Sequence, residues 1–393
     1  MKPTYLAGAV RTPIGKFGGA LADWTAAELG VAATQEALRR AGLTPETVQE
    51  VIFGSARQAG GGPNVARQIG YRSGIPETVP AYTVNQACAS GLKSILLAIQ
   101  EIQLGQADVV VAGGTESMSR VPYFAEGARW GARLGHTQLV DGMYRDGFLC
   151  PLSGKIMGET AETLAVQYGI SRREQDEFAL RSHQRAEAAE TAGYFAAERM
   201  TLSRTDSRGR TQTLDRDEHP RAGMKIEDLA KLPPVFSKTG TVAAGNSSGI
   251  TDGAAAVVVL SEEAVTTHHI SPLARVVGYA TVGLDPNVMG LGPVPATKKL
   301  LDRQQLSLDD IDLIELNEAF AAQVIACDRE LGLDPERLNV NGGAIALGHP
   351  IGCTGTRIVV TLLHEMKRRQ MRRGLATLCV SGGLGIALLL ENV

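Results

Sequence analysis

The residue best suited to covalent chemistry is a cysteine that stands where an apolar, helix-spaced run begins. Cys88 lies in VNQACASGLKS (84–94), and the apolar side chains that follow predict a helix starting near residues 89–91. A thiol at such a start faces unpaired backbone N–H groups and the positive end of the helix dipole, which stabilise a thiolate. Cysteine is also among the residue types most often buried in cores. Position alone therefore leaves a nucleophile and a packing residue as open alternatives.

Four further residues occur in settings where they could work with such a thiol. His349 lies in the glycine-rich NGGAIALGHPIGCTG, and a histidine facing a thiol can activate it by proton transfer and ion pairing. Cys379 ends the strand-like ATLCVSGGLG beside a glycine turn, at the kind of strand end where α/β proteins build sites. Asn317 and Glu318, in ELNEAFAAQ, follow a buried strand and need partners or a function. Taken singly, His349 and Cys379 also suit a protein core.

An internal repeat predicts the elements that position these residues. GLKSILLAIQEIQ (91–103) matches GTRIVVTLLHEMK (355–367) at an offset of 264 residues, and LTPETVQEVIFG (43–54) parallels LSLDDIDLIELN (306–317) at 263. Each helix-like run precedes a short apolar strand ending in glycines, and we predict that the second copy has gained about five residues in that connection. Cys353 matches Ala89 and is predicted to be a packing residue. Such strands are typical of sheets covered on both faces, so the repeat predicts an α/β fold with two layered halves.

Composition places the chain among ordinary soluble globular proteins. It has 393 residues, of which 44% are hydrophobic and 21% charged, and this length predicts two or three domains. A net charge of −3 without a basic block gives a nucleic-acid role no support. Five cysteines with no CxxC pair predict neither a disulfide framework nor a metal site. With no apolar run of about 18 residues, no secretory signal and no peroxisomal address, we expect a cytoplasmic protein without a membrane partner.

The middle of the chain differs in texture from both halves. Residues from about 120 to 250 are more polar and include a solvated helix and the charged, turn-rich TDSRGRTQTLDRDEHPR (205–221). Long excursions of this kind often form lids or binding loops. We therefore expect an insertion that closes over a site.

Several of these segments, together and in order, resemble the signature blocks of the thiolase family, the acetyl-CoA C-acyltransferases. The resemblance spans essentially the whole chain, and the segments that carry it are RTPIGKFGG, NQACASGLKS, VAGGTESMS, AGNSSGITDGAA, NEAFAA, GHPIGCTG and CVSGGLG. It implies two duplicated βαβαβαββ halves in a layered αβαβα arrangement. The implied domains are an N-terminal half over residues 1–120 (completed by about 250–272), a loop domain over 121–249 that covers the coenzyme A site, and a C-terminal half over 273–393.

The resemblance also implies roles for the reactive residues. Cys88 would take the acyl group from acyl-CoA as a thioester after activation by His349. His349, with a water held by Asn317, would stabilise the enolate of a second acetyl-CoA, which needs preorganised donors because a thioester α-C–H is a weak acid. Cys379 would remove the α-proton in condensation or return it in cleavage. The backbone N–H groups of Cys88 and Ser381 would form a second oxyanion hole.

For substrate binding, the resemblance points to the insertion and its neighbours. Arg221 would lie near the nucleotide of coenzyme A and Ser248 beside its pantetheine arm, while Met157 and Phe320 would border the acyl pocket. The implied partners are acetyl-CoA, acyl-CoA and free CoA as substrates, with no permanently bound cofactor. A homodimer or homotetramer active in fatty acid metabolism is expected.

Three positions depart from the family pattern. Ser381 replaces the usual glycine, and if that position requires a positive φ, serine would carry a strain of about 1–3 kcal/mol. Residue 384 is Leu where Gln or Met is common. Ile156 replaces a histidine common in acetoacetyl-CoA-type members, which leaves room for longer 3-ketoacyl groups.

Two other interpretations compete with a thiolase. A decarboxylating ketoacyl synthase shares the duplicated fold and a cysteine nucleophile, but it typically uses two histidines, and here Cys379 takes the acid–base place. A non-catalytic protein of this fold would bind lipid or coenzyme A without turnover. It would have no need for all four reactive residues: Cys88, His349, Asn317 and Cys379.

Overall fold

The computed structural model describes residues 2–205 and 209–393, so Met1 and residues 206–208 of the charged turn in the predicted loop domain lie outside the described residues. The strands are β1 (Thr4–Arg11), β2 (Gly15–Lys16), β3 (Glu50–Gly54), β4 (Ala81–Val84), β5 (Val109–Ser117), β6 (Tyr123–Phe124), β7 (Val140–Asp141), β8 (Leu202–Thr205), β9 (Thr211–Leu214), β10 (Thr251–Ser261), β11 (Ala274–Gly283), β12 (Leu313–Leu316), β13 (Arg373–Val380) and β14 (Leu384–Asn392).

The α-helices lie mostly between these strands in the chain. They are α1 (Ala26–Ala41), α2 (Val65–Arg72), α3 (Ser90–Leu104), α4 (Met157–Gln167), α5 (Arg172–Thr191), α6 (Ile226–Ala230), α7 (Glu262–Thr267), α8 (Pro293–Gln304), α9 (Ala321–Leu331), α10 (Ala344–Leu347) and α11 (Ile351–Arg369). Within the described ranges, no helix combines the length and the apolar character needed to cross a membrane.

The large sheet consists of two similar halves. One half has the strand order β4-β3-β5-β10-β1, with β2 beside β10, and the other has the order β12-β13-β14-β11. The halves meet where β1 pairs with β11 at Tyr5–Arg275 and Leu6–Ala274. In both halves the pairs β3–β5 and β12–β13 are parallel, and the strands that follow toward the join are antiparallel. The chain therefore builds the same arrangement twice.

Helices cover both faces of each half and create five layers. Helices α3 and α11 pack together between the halves, in a core that includes Leu92, Ile95 and Val359. Helices α1 and α2 bury a second core on the outer face of the first half, and α8 and α9 a third core on the outer face of the second. The predicted α/β fold with an αβαβα layer order is confirmed. Cys353 belongs to the central core, as predicted.

Sheet register corrects one detail of the repeat. Phe53 pairs with Gly113 in the first half and Leu316 pairs with Thr377 in the second, so β5 and β13 keep the 264-residue offset of the helices before them. The connection from helix to strand spans residues 105–108 in one half and 370–372 in the other. The predicted gain of about five residues is therefore wrong. The prediction aligned the glycines inside β5 with the glycines in the turn after β13. These glycines are not equivalent, because the first are paired in the sheet and the second form a turn.

Local sequence signals explain where the helices begin and end. Helix α1 starts at Thr25, whose hydroxyl accepts from the N–H of Glu28 while the Glu28 carboxylate accepts from the N–H of Thr25, a capping box. Helices α1 and α3 both end at a glycine in the left-handed conformation, Gly42 and Gly105. These caps set the ends of the helices that flank the first half.

Buried ion pairs fasten the polar middle segment to the first half. The Arg11 guanidinium is fully buried and pairs with Glu198 at 2.5 Å and with Asp217 at 2.7 Å. Asp217 also accepts a hydrogen bond from the N–H of Ile14 at 2.8 Å. These contacts tie the middle segment to β1 and to the residues that follow it. The domain boundaries near residues 120, 249 and 272 stay a prediction.

Candidate active site

A cavity of about 440 Å³ lies where the middle segment meets the two halves. It brings together eight of the residues expected from the sequence, far apart in the chain: Cys88, Met157, Arg221, Ser248, Phe320, His349, Cys379 and Ser381. Asn317 is not among the residues that line it. The rest of its lining is predominantly apolar and includes Ile156, Phe148 and Phe236. The sequence motifs therefore converge on one space of the size that small-molecule sites have.

Cys88 stands at a backbone bend where helix α3 begins. A single 3-10 turn, Ala87–Ala89, leads into α3, in agreement with the predicted helix start. Ala87 has φ +45°, which costs an alanine on the order of 1–3 kcal/mol. The side chain of Ser90 pins the bend, because its hydroxyl accepts from the N–H of Gln86 at 2.9 Å and donates to the Ala87 carbonyl at 2.7 Å. This strained bend presents the thiol to the cavity.

The environment of the Cys88 thiol favours its protonated form. Burial raises its pKa, and the neighbouring Arg57 charge and the N–H groups of Ser381 and Cys88 itself offset only part of that effect. At the helix start the N–H of Cys88 itself favours the thiolate, but desolvation outweighs it. Cys88 consequently needs a base to take its proton.

His349 has the geometry of that base. The residue is buried, and its Nδ1 lies 2.6 Å from the Thr354 hydroxyl, which donates its single hydrogen to the Pro350 carbonyl at 3.0 Å. Thr354 therefore accepts from Nδ1–H, which leaves Nε2 as the unprotonated nitrogen. Among the described residues, Nε2 has no hydrogen-bond partner. Burial, with Arg357 and Arg57 nearby, lowers the pKa of His349 to about 3, so the ring is neutral near pH 7.

Cys379 is the second-last residue of strand β13. Its side chain is almost fully buried, and its backbone pairs with Gly385 of β14. Burial, followed by the electrostatic effect of Cys88, raises its pKa well above the ordinary value. Cys379 is therefore a protonated thiol at neutral pH, beside a second thiol in a different environment.

Ser381 is not strained. It is absent from the described non-glycine residues with positive φ, whereas Gly382 and Gly383 after it have φ values of +86° and +82°. The strain considered for a serine here does not arise, because the turn takes its left-handed residues one and two positions later. Leu384 packs against the central core and does not line the cavity. Ile156 does line it.

Asn317 and Glu318 follow β12 but have different surroundings. The N–H of Asn317 donates to the Thr377 carbonyl at 3.0 Å, while its buried side-chain amide has no partner among the described residues. An amide in that state calls for a polar partner such as a bound water. Glu318, by contrast, accepts from Ser182 at 2.6 Å and from Asn339 at 3.0 Å. Glu318 thus holds the middle segment in place, and Asn317 is the free amide of the pair.

Residues of the middle segment form the mouth and the walls of the cavity. The rings of Phe236 and Phe320 meet edge to face at 6.1 Å, next to half-buried Met157. The N–H of Ser248 donates to the Ala319 carbonyl at 3.0 Å. Arg221 is exposed, and its N–H donates to His183 at 3.3 Å. These contacts place an apolar wall inside and a cation at the surface.

The sequence interpretation missed three residues that shape the site. Thr354 orients His349, and Glu116 accepts from the N–H groups of Ala56, Arg57 and Gly352 at 2.8–3.0 Å, which joins the start of α11 to the first half. A glutamate inside the buried strand VAGGTES was a signal for such a role. Arg57 also lines the cavity, but an arginine in a polar loop gives no signal of this kind.

Fold and site together define a class: a duplicated α/β enzyme in which two thiols and a neutral histidine meet at one cavity, as suits acyl transfer through a thioester. Comparison with known proteins agrees. The chain matches the family descriptions "Thiolase, N-terminal domain" over residues 4–263 and "Thiolase, C-terminal domain" over residues 270–392. The chain belongs to the thiolase family and is an acyltransferase.

Similarity extends over the full length of several relatives. The acetyl-CoA acetyltransferase of Escherichia coli (strain K12) is 51% identical over 394 residues and that of Cupriavidus necator 49% over 392, each covering 100% of both chains. Among solved structures, the Bacillus anthracis acetyl-CoA acetyltransferase is 48% identical with a TM-score of 0.97, covering 100% of this chain and 99% of that one. Human mitochondrial 3-ketoacyl-CoA thiolase in complex with CoA is 45% identical with a TM-score of 0.96, covering 100% and 98%.

Proposed function

We propose that the protein transfers acyl groups between coenzyme A and Cys88, and so forms or cleaves 3-ketoacyl-CoA thioesters reversibly. The observation that carries this proposal is that two thiols in different environments line one cavity with His349, whose Nε2 has no partner in the described ranges. The names of the relatives, acetyl-CoA acetyltransferase and 3-ketoacyl-CoA thiolase, fit the same reaction. A ketoacyl synthase is not favoured, because Cys379 stands where that chemistry would need a second histidine, and neither is a non-catalytic binding protein.

In the first half-reaction, Cys88 attacks the thioester carbonyl of acyl-CoA. Nε2 of His349 takes the thiol proton, since Nδ1 already carries its own hydrogen toward Thr354. The developing oxyanion accepts from the N–H groups of Cys88 and Ser381, two donors that already face the sulfur. Cys379 gives its proton to the departing CoA sulfur, which leaves an acyl-Cys88 thioester and a Cys379 thiolate.

In the second half-reaction, the Cys379 thiolate removes an α-proton from acetyl-CoA. The enolate oxygen accepts from the proton that His349 now carries on Nε2, and from a water held by the free amide of Asn317. The enolate carbon then attacks the acyl group, and Cys88 leaves as a thiolate that regains its proton from His349. Every proton returns to its starting group, and cleavage follows the same steps in reverse.

For substrate binding, we assign Arg221 to the phosphates of coenzyme A at the mouth and Ser248 to the pantetheine arm. Met157 and Phe320 border the acyl group. Coenzyme A thioesters are substrates here and no resident cofactor is required. Three expectations stay predictions: a cytoplasmic location, a part in fatty acid metabolism, and a homodimeric or homotetrameric state. The proposed reaction runs in either direction, condensation or cleavage.

Covalent labelling tests the proposed function. Radiolabelled acetyl-CoA should label the wild-type protein and should fail to label Cys88→Ala, because only Cys88 carries the acyl group. Cys353→Ala, which alters a thiol of the central core away from the cavity lining, is the matched control and should still be labelled. Covalent label on Cys88→Ala would show that the nucleophile lies elsewhere.

A further inference from the structure

Arg57 is a cation in the cavity that none of the proposed steps uses. It follows β3 and lines the cavity together with Cys88. Its guanidinium lies against Gly147, where even a methyl group would come within 2.6 Å of Nε. A glycine at position 147 thus leaves the space that the guanidinium fills.

The guanidinium of Arg57 has no acceptor among the described residues. Its Nε is buried without a partner, and no carboxylate of the described chain lies within ion-pair distance of it. The nearby carboxylates already have other partners: Glu116 accepts three backbone N–H groups, and Asp146 holds Arg145 through two hydrogen bonds of 2.7 and 2.9 Å. Arg57 as a whole is half-buried, but its buried Nε lacks the acceptor that a buried donor needs, and a bound ligand would supply one.

Arg57 lies on the Cys88 side of the cavity, because its neighbour Ala56 packs in one apolar cluster with Cys88 and Phe148. The charge of Arg57 acts on the pKa values of Cys88 and His349, whereas that of Arg221 acts on those of His183 and His219. The two cations therefore serve different parts of the cavity. His219 and His349 are held neutral by burial, and no Asp or Glu is among the described residues that line the cavity. An anion near Cys88 would thus meet Arg57 without a competing carboxylate in the lining.

We propose that Arg57 binds a carboxylate at the far end of the acyl chain, so that the enzyme takes 3-ketoacyl-CoA thioesters with a terminal carboxylate. This inference rests on the thiolase reaction proposed above. Thiolysis then proceeds as before: Cys88 attacks C3, the C2–C3 bond breaks, Cys379 protonates C2 of the departing acetyl-CoA, and CoA releases the carboxylated acyl group from Cys88. The apolar wall around Ile156 accommodates the methylene groups between the thioester and the carboxylate.

A matched pair of substrates tests this proposal: 3-oxohexanoyl-CoA and 3-oxohexanedioyl-CoA, which differ only in a terminal methyl or carboxylate. A second pair of the same kind with eight carbons tests whether a longer acyl chain is needed for the carboxylate to reach Arg57. A charged hydrogen bond gained at Arg57 should raise kcat/KM for the carboxylated member of at least one pair by on the order of 10- to 100-fold in the wild type. Arg57→Leu should abolish this ratio and Arg57→Lys should retain part of it. Arg72→Leu, an exposed arginine on α2, should retain all of it.

Three results would overturn the proposal. One is a wild-type enzyme that favours neither carboxylated substrate, which decides the question even if Arg57→Leu does not fold. Another is an unchanged ratio in Arg57→Leu. The third is that Arg57→Leu raises the KM for free CoA equally with both members of a pair. That result would assign Arg57 to a phosphate of CoA. Labelling of Cys88 by acetyl-CoA, with cleavage of the neutral substrates, keeps the proposed function even when this inference fails. If neither labelling of Cys88 nor cleavage of the neutral substrates occurred, the proposed function and this inference would both be wrong.

Discussion

Replacing Thr354 by valine should impair catalysis through His349 without touching a reacting atom. The Thr354 hydroxyl accepts from Nδ1–H at 2.6 Å and thereby fixes Nε2 as the basic nitrogen. Valine keeps the volume but leaves the buried Nδ1–H without a partner, which costs about 1–3 kcal/mol. The ring can avoid that cost by changing its tautomer or by rotating, but either change removes the basic Nε2 from the reacting position. The enzyme must then restore the original arrangement in each turnover, at the same free-energy cost. Because 1.36 kcal/mol is tenfold in rate, kcat should fall roughly 5- to 150-fold.

The assay for this prediction compares two threonines of the same helix. Thr356 lies two residues further along α11, is equally buried and donates to the Gly91 carbonyl at 2.9 Å, with no contact to His349. Thr354→Val and Thr356→Val should lose similar free energies of unfolding in urea, but only Thr354→Val should lose kcat in thiolysis, and Thr354→Ser should recover most of it. Equal losses of kcat in both valine variants, or a normal kcat in Thr354→Val, would refute the reasoning.

Three further changes give distinct outcomes. Cys379→Ala should still accept an acyl group on Cys88 but fail to exchange the α-protons of acetyl-CoA with solvent; normal exchange would place the base elsewhere. Since the pKa of His349 is lowered to about 3, its basic form persists at acid pH. The rate of single-turnover acylation should therefore not fall through protonation of His349 between about pH 5 and 8. A fall in this rate near the ordinary histidine pKa of about 6.5 that disappears in His349→Asn would contradict the prediction. Arg11→Leu leaves buried Glu198 without its ion-pair partner and leaves Asp217 with Arg199 alone. It should cost about 3–5 kcal/mol of unfolding free energy, measured by denaturant titration, while Arg39→Leu at an exposed pair should change little.

Much of the fold followed from patterns that are local in the chain. The repeated helix runs lie where α3 and α11 form, and both starts lie within a few residues of the expected positions. Three residues that line the cavity were recognisable for the same reason: Cys88, His349 and Cys379 each lie beside small residues and glycines that mark a strand end or a helix start. Where the local signal was ambiguous, the prediction failed. Glycines inside β5 and glycines after β13 look alike in the sequence, and only the sheet register separates them.

The electrostatic state of the site could not be obtained in this way. Helix position predicts a stabilised Cys88 thiolate, yet burial raises its pKa, because the low-dielectric surroundings come from both halves and from the middle segment. The absence of strain at Ser381 likewise depends on how the turn places Gly382 and Gly383.

Residue types and their periodicity were thus enough to predict the class of fold and the duplication, and they singled out the residues that meet at the cavity, since these properties are encoded over a few neighbouring residues. The tertiary structure alone decided which groups are paired. Glu116 is occupied by the N–H of Gly352, 236 positions away, so it does not neutralise Arg57 by direct contact. Burial and pairing depend on atoms that the chain brings together only when it folds. They set the protonation of His349 and leave the Arg57 guanidinium without an acceptor in the described part of the chain.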